Sequence, residues 1–421
     1  MSGLGPVRDV RDWIVGHRVP DLPRPGIGPL TAAKWLVDEW SLQAELVNNR
    51  TRIPSATFRH RLWTEMDEAL DLFGSAGWLA QPRSYHQDPP PLERPRISVA
   101  GYVPSRFEWL RFTSEYVPHR GEPGRERWLG YENNRTAHAW VLRHNDGPRP
   151  WLVCVNGYRT GTAAADLLAF DALRLHRKLG MNVLIPVNPL HGPRRAGRSG
   201  DRVMFAGVMN IVHTVSQAVW DIRRMLTWLR KSEGAPRVGV MGFSLGGYIA
   251  SVLASIEQDI DGVMLGVPES DLVRNIRRQV DPMLPPFYEQ WGLSWSSFDR
   301  VTRVVSPYAL TPLVPKEGRA IFAGLVDRWV RPGNVHRLWQ HWDEPDICWY
   351  QGSHLSFPVE RKVRRFVDEH FDSWGLTTAE PASSPVTSVL AAVGNTLAAV
   401  RGDAGSRNGN GASQGTATLP G

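Results

Sequence analysis

The chain has 421 residues, of which 42% are hydrophobic and 22% charged, a composition typical of a globular protein with a sizeable core. Its 33 prolines and 18 tryptophans recur with no fixed period, which argues against a solenoid or a propeller, and its apolar runs are too short to span a membrane. The net charge of +7 includes arginine-rich clusters at 194–202 and 361–365, but no zinc-ligand spacing or RNA-binding aromatic motif accompanies them, so we interpret them as solvated surface and keep nucleic-acid binding as a minor alternative.

Residues 1–95 have the pattern of a helical N-terminal extension. Apolar residues at helical spacing predict one helix over 31–48 and a second over 55–74, with Ser55 at the start of the second. The apolar positions assigned to the first helix are Ala32, Leu36, Trp40, Leu42, Leu46 and Val47. Because such stripes must be buried, we expect both helices to pack on the main domain. The proline-rich stretch 81–96 is predicted to be an extended connector.

The pattern changes to strands at residue 107. Two alternating segments, 107–117 and 136–142, predict an antiparallel pair joined by a long loop. Continuous apolar runs then alternate with helical patterns, which is typical of strands buried on both faces. The predicted strands are 151–155, 183–187, 238–241, 262–267, 319–324 and 347–350, and the predicted helices are 163–179, 211–231, 245–256 and 359–371. This order predicts an α/β fold: a mostly parallel eight-stranded sheet with helices on both faces and functional groups at the carboxyl ends of the strands.

Two insertions and a tail accompany the predicted main domain, residues 96–374. The first insertion, 189–209, is rich in glycine and arginine. The second, about 273–315, carries several aromatic residues between two core strands, where a lid over a site would lie, and packing of those aromatics is the alternative. Residues 375–421 have a low-complexity composition that predicts disorder, with one weak helix over 386–400.

A G-x-S-x-G motif, with Ser244 between Gly242 and Gly246, joins the strand 238–241 to the helix 245–256. In this context the motif predicts a nucleophile elbow, a sharp turn that lifts a serine hydroxyl above the sheet. We expect strained backbone angles at Ser244, which only small neighbours such as Gly242 and Gly246 tolerate. An ordinary turn with an idle serine is the alternative.

A serine hydroxyl needs a base to accept its proton and an acid to orient that base. His354 is the predicted base because it lies in a flexible turn between the last strand and the last helix. Asp327, after the next-to-last strand, is the predicted acid because it gives the chain order Ser…Asp…His. Glu269 and Asp271, after the preceding strand, remain the alternatives for the acid.

Acyl transfer also needs two N–H groups that hold an oxyanion. The N–H of Leu245, the first residue of the helix after the serine, is one candidate, and the N–H of Tyr158, in the loop after the strand 151–155, is the other. Gly157 and Gly161 make that loop slender enough to approach a bound carbonyl group. No motif indicates a metal ion or an organic cofactor.

The order Ser244, Asp327, His354, the elbow motif and the succession of strands resemble the α/β-hydrolase superfamily over residues 107–374. This resemblance implies that Ser244 is the nucleophile, His354 the base and Asp327 the acid that orients it. The segment 188–195, Asn-Pro-Leu-His-Gly-Pro-Arg-Arg, is more loosely similar to the α/β-hydrolase-domain-containing 18 group.

The sequence therefore predicts a serine hydrolase, similar to esterases, lipases or thioesterases, that cleaves a carboxyl ester or thioester through an acyl-enzyme intermediate. Its partner is predicted to be a small-molecule acyl substrate, and an aromatic lid would favour a substrate with an apolar part. Many relatives carry His-Gly after the third strand, whereas this chain has Asn156 and Gly157, so the preferred acyl group stays open. The alternatives are an acyltransferase and a non-catalytic protein that binds a ligand or partner on a hydrolase fold.

The two cysteines and the first 20 residues of the sequence indicate the cellular location. The two cysteines, Cys154 and Cys348, both lie in apolar strand patterns where a buried free thiol is expected. Charged residues interrupt the first 20 positions, so no secretory signal is predicted there. We therefore predict a reduced, cytoplasmic protein, and the sequence leaves its oligomeric state open.

Overall fold

The framework of the molecule is a mixed sheet, seen in a computed structural model that describes residues 21–50, 55–101, 106–204, 206–280 and 294–378. Within these residues its strands are β1 (Arg96–Gly101), β2 (Phe107–Thr113), β3 (Thr136–Leu142), β4 (Trp151–Val155), β5 (Asn182–Pro186), β6 (Val238–Phe243), β7 (Gly262–Gly266), β8 (Arg319–Gly324) and β9 (Asp346–Tyr350). Their order is β1-β2-β3-β5-β4-β6-β7-β8-β9. The pairs from β1 to β5 along this order are antiparallel, and all later pairs are parallel.

The direction of the chain across the sheet reverses at β4. Strand β4 has β5 on one side and β6 on the other, so the chain first moves towards one edge and then returns to build the other half. Such a reversal opens a crevice beyond the carboxyl ends of the strands, where ligands bind in open α/β sheets. The loops after β4 and β6 therefore border the expected site.

The central strands are buried on both faces, as their continuous apolar runs predict. In β4, Val153 and Val155 belong to one hydrophobic cluster, whereas Leu152 and Cys154 belong to the cluster on the opposite face. This division follows from the two-residue period of a strand. The predicted α/β fold with a mostly parallel sheet is thus confirmed. Both cysteines are free and buried.

Helices cover both faces of the sheet. The α-helices of the described residues are α1 (Pro29–Arg50), α2 (Ala56–Ser75), α3 (Arg125–Leu129), α4 (Ala163–Ala169), α5 (Ala172–Arg177), α6 (Asp201–Met204), α7 (Val208–Lys231), α8 (Leu245–Leu253), α9 (Leu272–Val280), α10 (Trp295–Thr302), α11 (Pro332–His341) and α12 (Arg361–Ser373). Helices α7 and α8 contribute to the cluster on one face, and α5 and α12 contribute to the cluster on the other. Among these helices none combines the length and the apolarity that crossing a bilayer requires.

The second N-terminal helix is part of the main core. Helix α2 contributes Met66, Ala69 and Phe73 to the larger hydrophobic cluster, and all three are almost fully buried. Ser55 caps this helix as predicted, because its hydroxyl accepts a hydrogen bond from the N–H of Phe58 at 3.1 Å. The described residues up to Thr378 form one compact unit, so the helical extension packs with the sheet domain.

The structure contains a strand and a helix break that the sequence did not predict. Strand β1 begins at Arg96, the last residue of the predicted connector, and raises the predicted eight strands to nine. Strand β1 lies at the sheet edge and is half exposed, so it lacks the apolar run that marks a central strand. The single helix predicted over 163–179 is two helices, α4 and α5, because Asp171 adopts a left-handed conformation with φ of 49°.

The second predicted insertion is partly a core element. After α10, Val304 and Val305 join Val301 in the main hydrophobic cluster, so this half of the insertion packs beneath the surface. Residues 281–293 of the predicted lid lie outside the described residues. The predicted weak helix over 386–400 and the predicted disordered tail also lie outside them.

The interpretation of the first arginine cluster as solvated surface is wrong for its first member. Arg194 is fully buried, and its guanidinium lies 2.9 Å from the carboxylate of Asp221, which is also buried. The same guanidinium donates hydrogen bonds to the carbonyl groups of Val187 and Asn134, each at 3.0 Å. Arg194 therefore ties the loop after β5 to helix α7.

Candidate active site

Ser244 occupies the turn between β6 and α8. Its φ of 54° and ψ of −117° lie outside the regions that a residue with a side chain ordinarily adopts. Such strain persists only where the surrounding structure imposes it, and it is found most often at functional sites. The strand-to-helix context and the strained serine together have the geometry of a nucleophile elbow.

The glycines around the serine are needed for close packing. A Cβ atom at Gly246 would lie far inside contact distance of the carbonyl oxygen of Val155, at the end of β4. A Cβ atom at Gly242 would collide in the same way with the carbonyl oxygen of Gly246. The left-handed φ belongs to Ser244 itself, whereas neither glycine has a positive φ. Small neighbours are thus required because α8 begins directly against the ends of β4 and β6.

His354 and Asp327 form a buried hydrogen-bonded pair. The distance between His354 Nδ1 and Asp327 Oδ2 is 2.7 Å. The second carboxylate oxygen of Asp327 accepts a hydrogen bond from the N–H of Val330, also at 2.7 Å. Because a carboxylate only accepts, the proton lies on Nδ1, and in the neutral ring Nε2 carries a lone pair. The imidazole is thus held in the tautomer that a general base requires.

Carboxylates control the protonation of this histidine. Burial by itself lowers the pKa of His354, but the negative charge and hydrogen bond of Asp327 raise it, and the charges of Asp38 and Glu269 raise it further. The outcome is a pKa above the ordinary value of 6.5. His354 therefore accepts a proton more readily than a free imidazole does.

The two alternative acids have other partners. Glu269 is buried and accepts hydrogen bonds from the N–H groups of Ser270 and Asp271, both at 2.9 Å. Asp271 pairs with Arg337 at 2.7 Å. Of the three acids that the sequence offered, Asp327 is the one that hydrogen-bonds the imidazole. Glu269 acts on His354 only through its charge.

Ser244 and His354 lie at the same edge of the sheet, beyond the carboxyl ends of β6 and β9. In the described part of the chain the Ser244 hydroxyl makes no hydrogen bond to the imidazole. Its backbone is fixed instead, since the N–H of Ser244 donates to Gly266 O at 3.1 Å and its carbonyl accepts from Glu269 N at 3.0 Å. In free enzymes such catalytic hydrogen bonds are often long and shorten when substrate is bound.

The loop after β4 borders the serine. A Cβ atom placed on Gly157 would lie 3.5 Å from the Cβ of Ser244, so the backbone of this loop approaches the predicted nucleophile closely. Gly161, with φ of 108°, lets the same loop touch Gly192 in the loop after β5. Leu245 is the first residue of α8, where a backbone N–H has no partner within the helix. The Leu245 and Tyr158 candidates for an oxyanion site thus lie on the two segments that meet at Ser244.

Asp38 is a site residue that the sequence analysis missed. It lies in α1 and is fully buried, and its carboxylate accepts hydrogen bonds from the backbone N–H groups of His354 at 2.7 Å and Arg328 at 3.1 Å. The predicted apolar stripe of α1 was partly wrong, because Leu36 and Trp40 are exposed. Among the described side chains of α1, the buried ones are Thr31, Ala32, Trp35, Asp38 and Leu42, and the side chains of Leu46 and Val47 lie outside the described part. Asp38 shares the helical phase of the three apolar residues, and that spacing is the pattern that points to its burial.

Helix α1 extends from the histidine loop to the loop after β4. Near its start, the Lys34 ammonium pairs with Glu360 and donates to the carbonyl of Gln351 at 3.1 Å. Near its end, the carboxylate of Glu45 pairs with Arg159 at 2.6 Å. Between these ends, Glu39 pairs with Arg328, and Ser41 accepts a hydrogen bond from Trp329. The first N-terminal helix therefore contacts three loops that carry predicted site residues.

Arginines surround the loop of the predicted acid. Arg278, on α9, donates hydrogen bonds to the carbonyl groups of Arg328 and Trp329, at 3.1 and 2.9 Å. Burial, together with the charges of Arg278, Arg328 and Arg274, lowers the pKa of Arg331 to about 10. The buried Nε of Arg331 has no hydrogen-bond partner within the described residues. Burial and neighbouring arginines thus both act on the pKa of Arg331.

No family model matches the chain. Two proteins of Mycobacterium tuberculosis, both described as uncharacterized, are similar to it over 396 residues. They are MT2702 of strain CDC 1551 / Oshkosh, at 40% identity, and Rv2627c of strain ATCC 25618 / H37Rv, at 39% identity. Each alignment covers 90% of this chain and 90% of the relative.

Among solved structures, the chain is similar to acetyl xylan esterase 1 from Thermoanaerobacterium sp. JW/SL YS485, with a TM-score of 0.48 and 17% sequence identity. This alignment covers 70% of the chain and 93% of the esterase.

Proposed function

We propose that this chain, which belongs to one family with the two mycobacterial proteins, is a serine hydrolase of the α/β-hydrolase superfamily that cleaves a carboxyl ester or thioester. Ser244 is the proposed nucleophile, His354 the base and Asp327 the acid that orients the base. One observation carries the proposal: the strained turn at Ser244 lies at the same sheet edge as the buried pair of His354 and Asp327. In this pair Nδ1 of the histidine is bonded to the carboxylate, so Nε2 is the basic nitrogen.

The proposed first half of the reaction is acylation. The Ser244 oxygen attacks the substrate carbonyl carbon while His354 Nε2 takes the hydroxyl proton. The negative charge that develops on the carbonyl oxygen is held by the N–H groups of Leu245 and Tyr158. The tetrahedral intermediate then collapses, His354 gives its proton to the leaving alcohol or thiol, and the acyl group stays on the serine oxygen. Asp327 keeps the ring in place and stabilises its positive charge.

The proposed second half is deacylation by water. His354 takes a proton from the water molecule as its oxygen attacks the acyl carbon. The second tetrahedral intermediate expels the Ser244 oxygen, which recovers the proton from His354, and the free acid leaves. An acyltransferase would follow the same steps with another alcohol, amine or thiol in the place of water, so the acceptor is the difference between these two functions.

Hydrolysis of p-nitrophenyl esters of graded acyl length tests the proposal. We expect turnover by the wild-type chain and a loss of about 10⁴-fold or more in kcat for Ser244→Ala, because the nucleophile is then absent. A matched control is Ser255→Ala: Ser255 is a buried serine in the turn after α8 whose hydroxyl bonds the Ser251 carbonyl, remote from the predicted triad in the chain. Equal rates for wild type and Ser244→Ala would contradict the proposal.

A non-catalytic binding protein is the second candidate. The observation that favours it is the lack of a hydrogen bond from the Ser244 hydroxyl to His354 in the described residues. A binder has no need of a strained serine or of a base in one fixed tautomer, so we favour the hydrolase. A wild-type chain that is folded, binds esters and releases no product would support the binder.

A further inference from the structure

The buried carboxylate of Asp38 joins two loops that are distant in the chain. Its Oδ2 accepts hydrogen bonds from the N–H groups of His354 and Arg328, and its Oδ1 accepts one from the N–H of Leu355 at 3.1 Å. Arg328 follows the predicted acid, Asp327, by one residue. A single carboxylate therefore bonds the backbone of the base and the backbone next to the acid.

Burial of this charge is costly unless it is compensated. Removing a carboxylate from water is unfavourable, and hydrogen bonds to the ionised form offset part of that penalty. Burial and the nearby Asp327 raise the pKa of Asp38, while the charge of His354 and the N–H groups of His354 and Arg328 lower it, and the outcome is a pKa above the ordinary value. An apolar residue at position 38 would fill the interface of α1 without the penalty of burying a charge. The carboxylate is thus suited to holding backbone N–H groups rather than to packing.

The N–H of His354 needs this acceptor, because its contact with Asp38 is buried and a buried N–H without a partner is destabilising. The contacts of the Arg328 and Leu355 N–H groups with Asp38 are partly buried. Asp38 is the acceptor for all three among the described residues, and it comes from α1 rather than from the sheet domain. The positions of the acid loop and the base loop relative to each other therefore depend on a residue outside both.

We propose that Asp38 is a positioning residue for the reaction: it locks the loop of Asp327 to the loop of His354, so that helix α1 completes the active site. This inference rests on the proposed serine hydrolase function. Asp38 touches neither the reacting atoms nor the Ser244 hydroxyl in the described contacts, and it acts through the backbone of the base. The contacts of α1 at both ends, through Lys34 and Glu45, hold the carboxylate in place.

The variant Asp38→Asn tests this role with almost no change in size. Its amide group turns one acceptor oxygen into a donor that faces a backbone N–H, so one of the two loops must move. Because a displacement of about 1 Å can lower a rate by about 10²-fold, we expect kcat to fall by about that factor while KM stays near the wild-type value. Asp67→Asn is the matched control: it makes the same carboxylate-to-amide change at an exposed position of α2, and we expect kcat within about twofold of wild type.

The pH profile gives a readout that a purely structural residue would not move. Three carboxylates raise the pKa of the His354 ring: Asp327 from the loop after β8, Asp38 from α1 and Glu269 from the loop after β7. Removing the charge of Asp38 lowers the pKa of His354. The acid limb of kcat/KM should therefore move to lower pH in Asp38→Asn, and it should stay in place in Asp67→Asn.

The outcomes separate this inference from the proposed function. An inactive wild-type chain that a fluorophosphonate does not label overturns the proposed function. An active wild type with kcat and pH profile unchanged in Asp38→Asn overturns the role of Asp38 alone. If Asp38→Asn does not fold, Asp38→Ser takes its place, because a smaller side chain lets water reach the three N–H groups. A wild-type kcat in a folded Asp38→Ser variant overturns the inference equally.

Discussion

At the scale of single residues, the proposed chemistry depends on Nε2 of His354. Asp327 Oδ2 accepts a hydrogen bond from Nδ1–H, with 2.7 Å between the two atoms, so Nε2 is the nitrogen that can take a proton from a nucleophile. The base is active only when the ring is neutral. Because the carboxylates raise the pKa of His354 above 6.5, kcat/KM should fall as the pH drops through that raised value.

Asp327→Asn should change both the rate and this pH profile. The variant loses the charge that raises the pKa of His354, and its amide no longer fixes the Nδ1–H tautomer. We expect kcat to fall by about 10²–10⁴-fold and the acid limb to move to lower pH. Rates measured from pH 5 to 9 with one ester substrate check this. If Glu269→Gln produced the larger loss, the acid would have been assigned wrongly.

The buried pair of Arg194 and Asp221 should be important for stability. Asp221→Asn leaves a buried guanidinium without its counter-charge, which costs about 3–5 kcal/mol in the free energy of unfolding. The matched control is Asp88→Asn, because Asp88 is almost fully exposed and pairs with Arg223 at 2.8 Å. We expect at most about 1 kcal/mol there. Urea titrations of both variants measure the difference, and equal losses would contradict the importance of burial.

At the scale of elements, the elbow depends on the contact between α8 and β4. Gly246→Ala places a methyl group against the carbonyl oxygen of Val155, and backbone cannot move as a flexible side chain can. We expect this variant to lose more than about 3 kcal/mol of stability. Gly74→Ala is the control, since its Cβ would meet only Leu79 at 4.0 Å near the end of α2. It should stabilise the helix by about 0.5–1 kcal/mol. Thermal unfolding of both variants tests the contrast.

The elements that the sequence predicted well are those with strong periodicity. The runs that became β4 and β8 are buried on both faces, and such runs have few alternative structures. The edge strand β1 was missed because its half-exposed residues lack that pattern. The buried face of α1 was also predicted only in part, because Leu36 and Trp40 are exposed and the buried Asp38 was not included. A polar residue on a buried face breaks the pattern that periodicity detects.

The placement of the candidate site followed from topology, but its contacts did not. Ser244, Asp327 and His354 each follow a strand, and the carboxyl ends of parallel strands lie at one edge. Chain order favoured Asp327 as the acid, but Glu269 and Asp271 stayed open as alternatives because they also follow a strand at that edge. The sequence could not reveal Asp38, whose partner His354 is 316 positions away along the chain. Contacts of that range depend on the packing of the whole chain.

At the scale of the whole molecule, the helical extension and the sheet share one core. Helix α2 buries Met66 and Phe73 in the main cluster, and α1 binds the loops of the candidate site. Removal of residues 1–95 should therefore expose a large apolar surface and leave no cooperative unfolding transition. A truncated chain that unfolds cooperatively with the wild-type Tm would show that the extension is a separate appendage.

The most direct test of the serine hydrolase account is the covalent reaction of the full chain with a fluorophosphonate, measured by intact mass and peptide mapping. The account predicts one adduct for each chain, located on Ser244. Labelling should be lost in Ser244→Ala and should slow strongly in His354→Ala, because the base no longer activates the hydroxyl. A folded wild-type chain that stays unlabelled, or an adduct that persists in Ser244→Ala, would contradict the account.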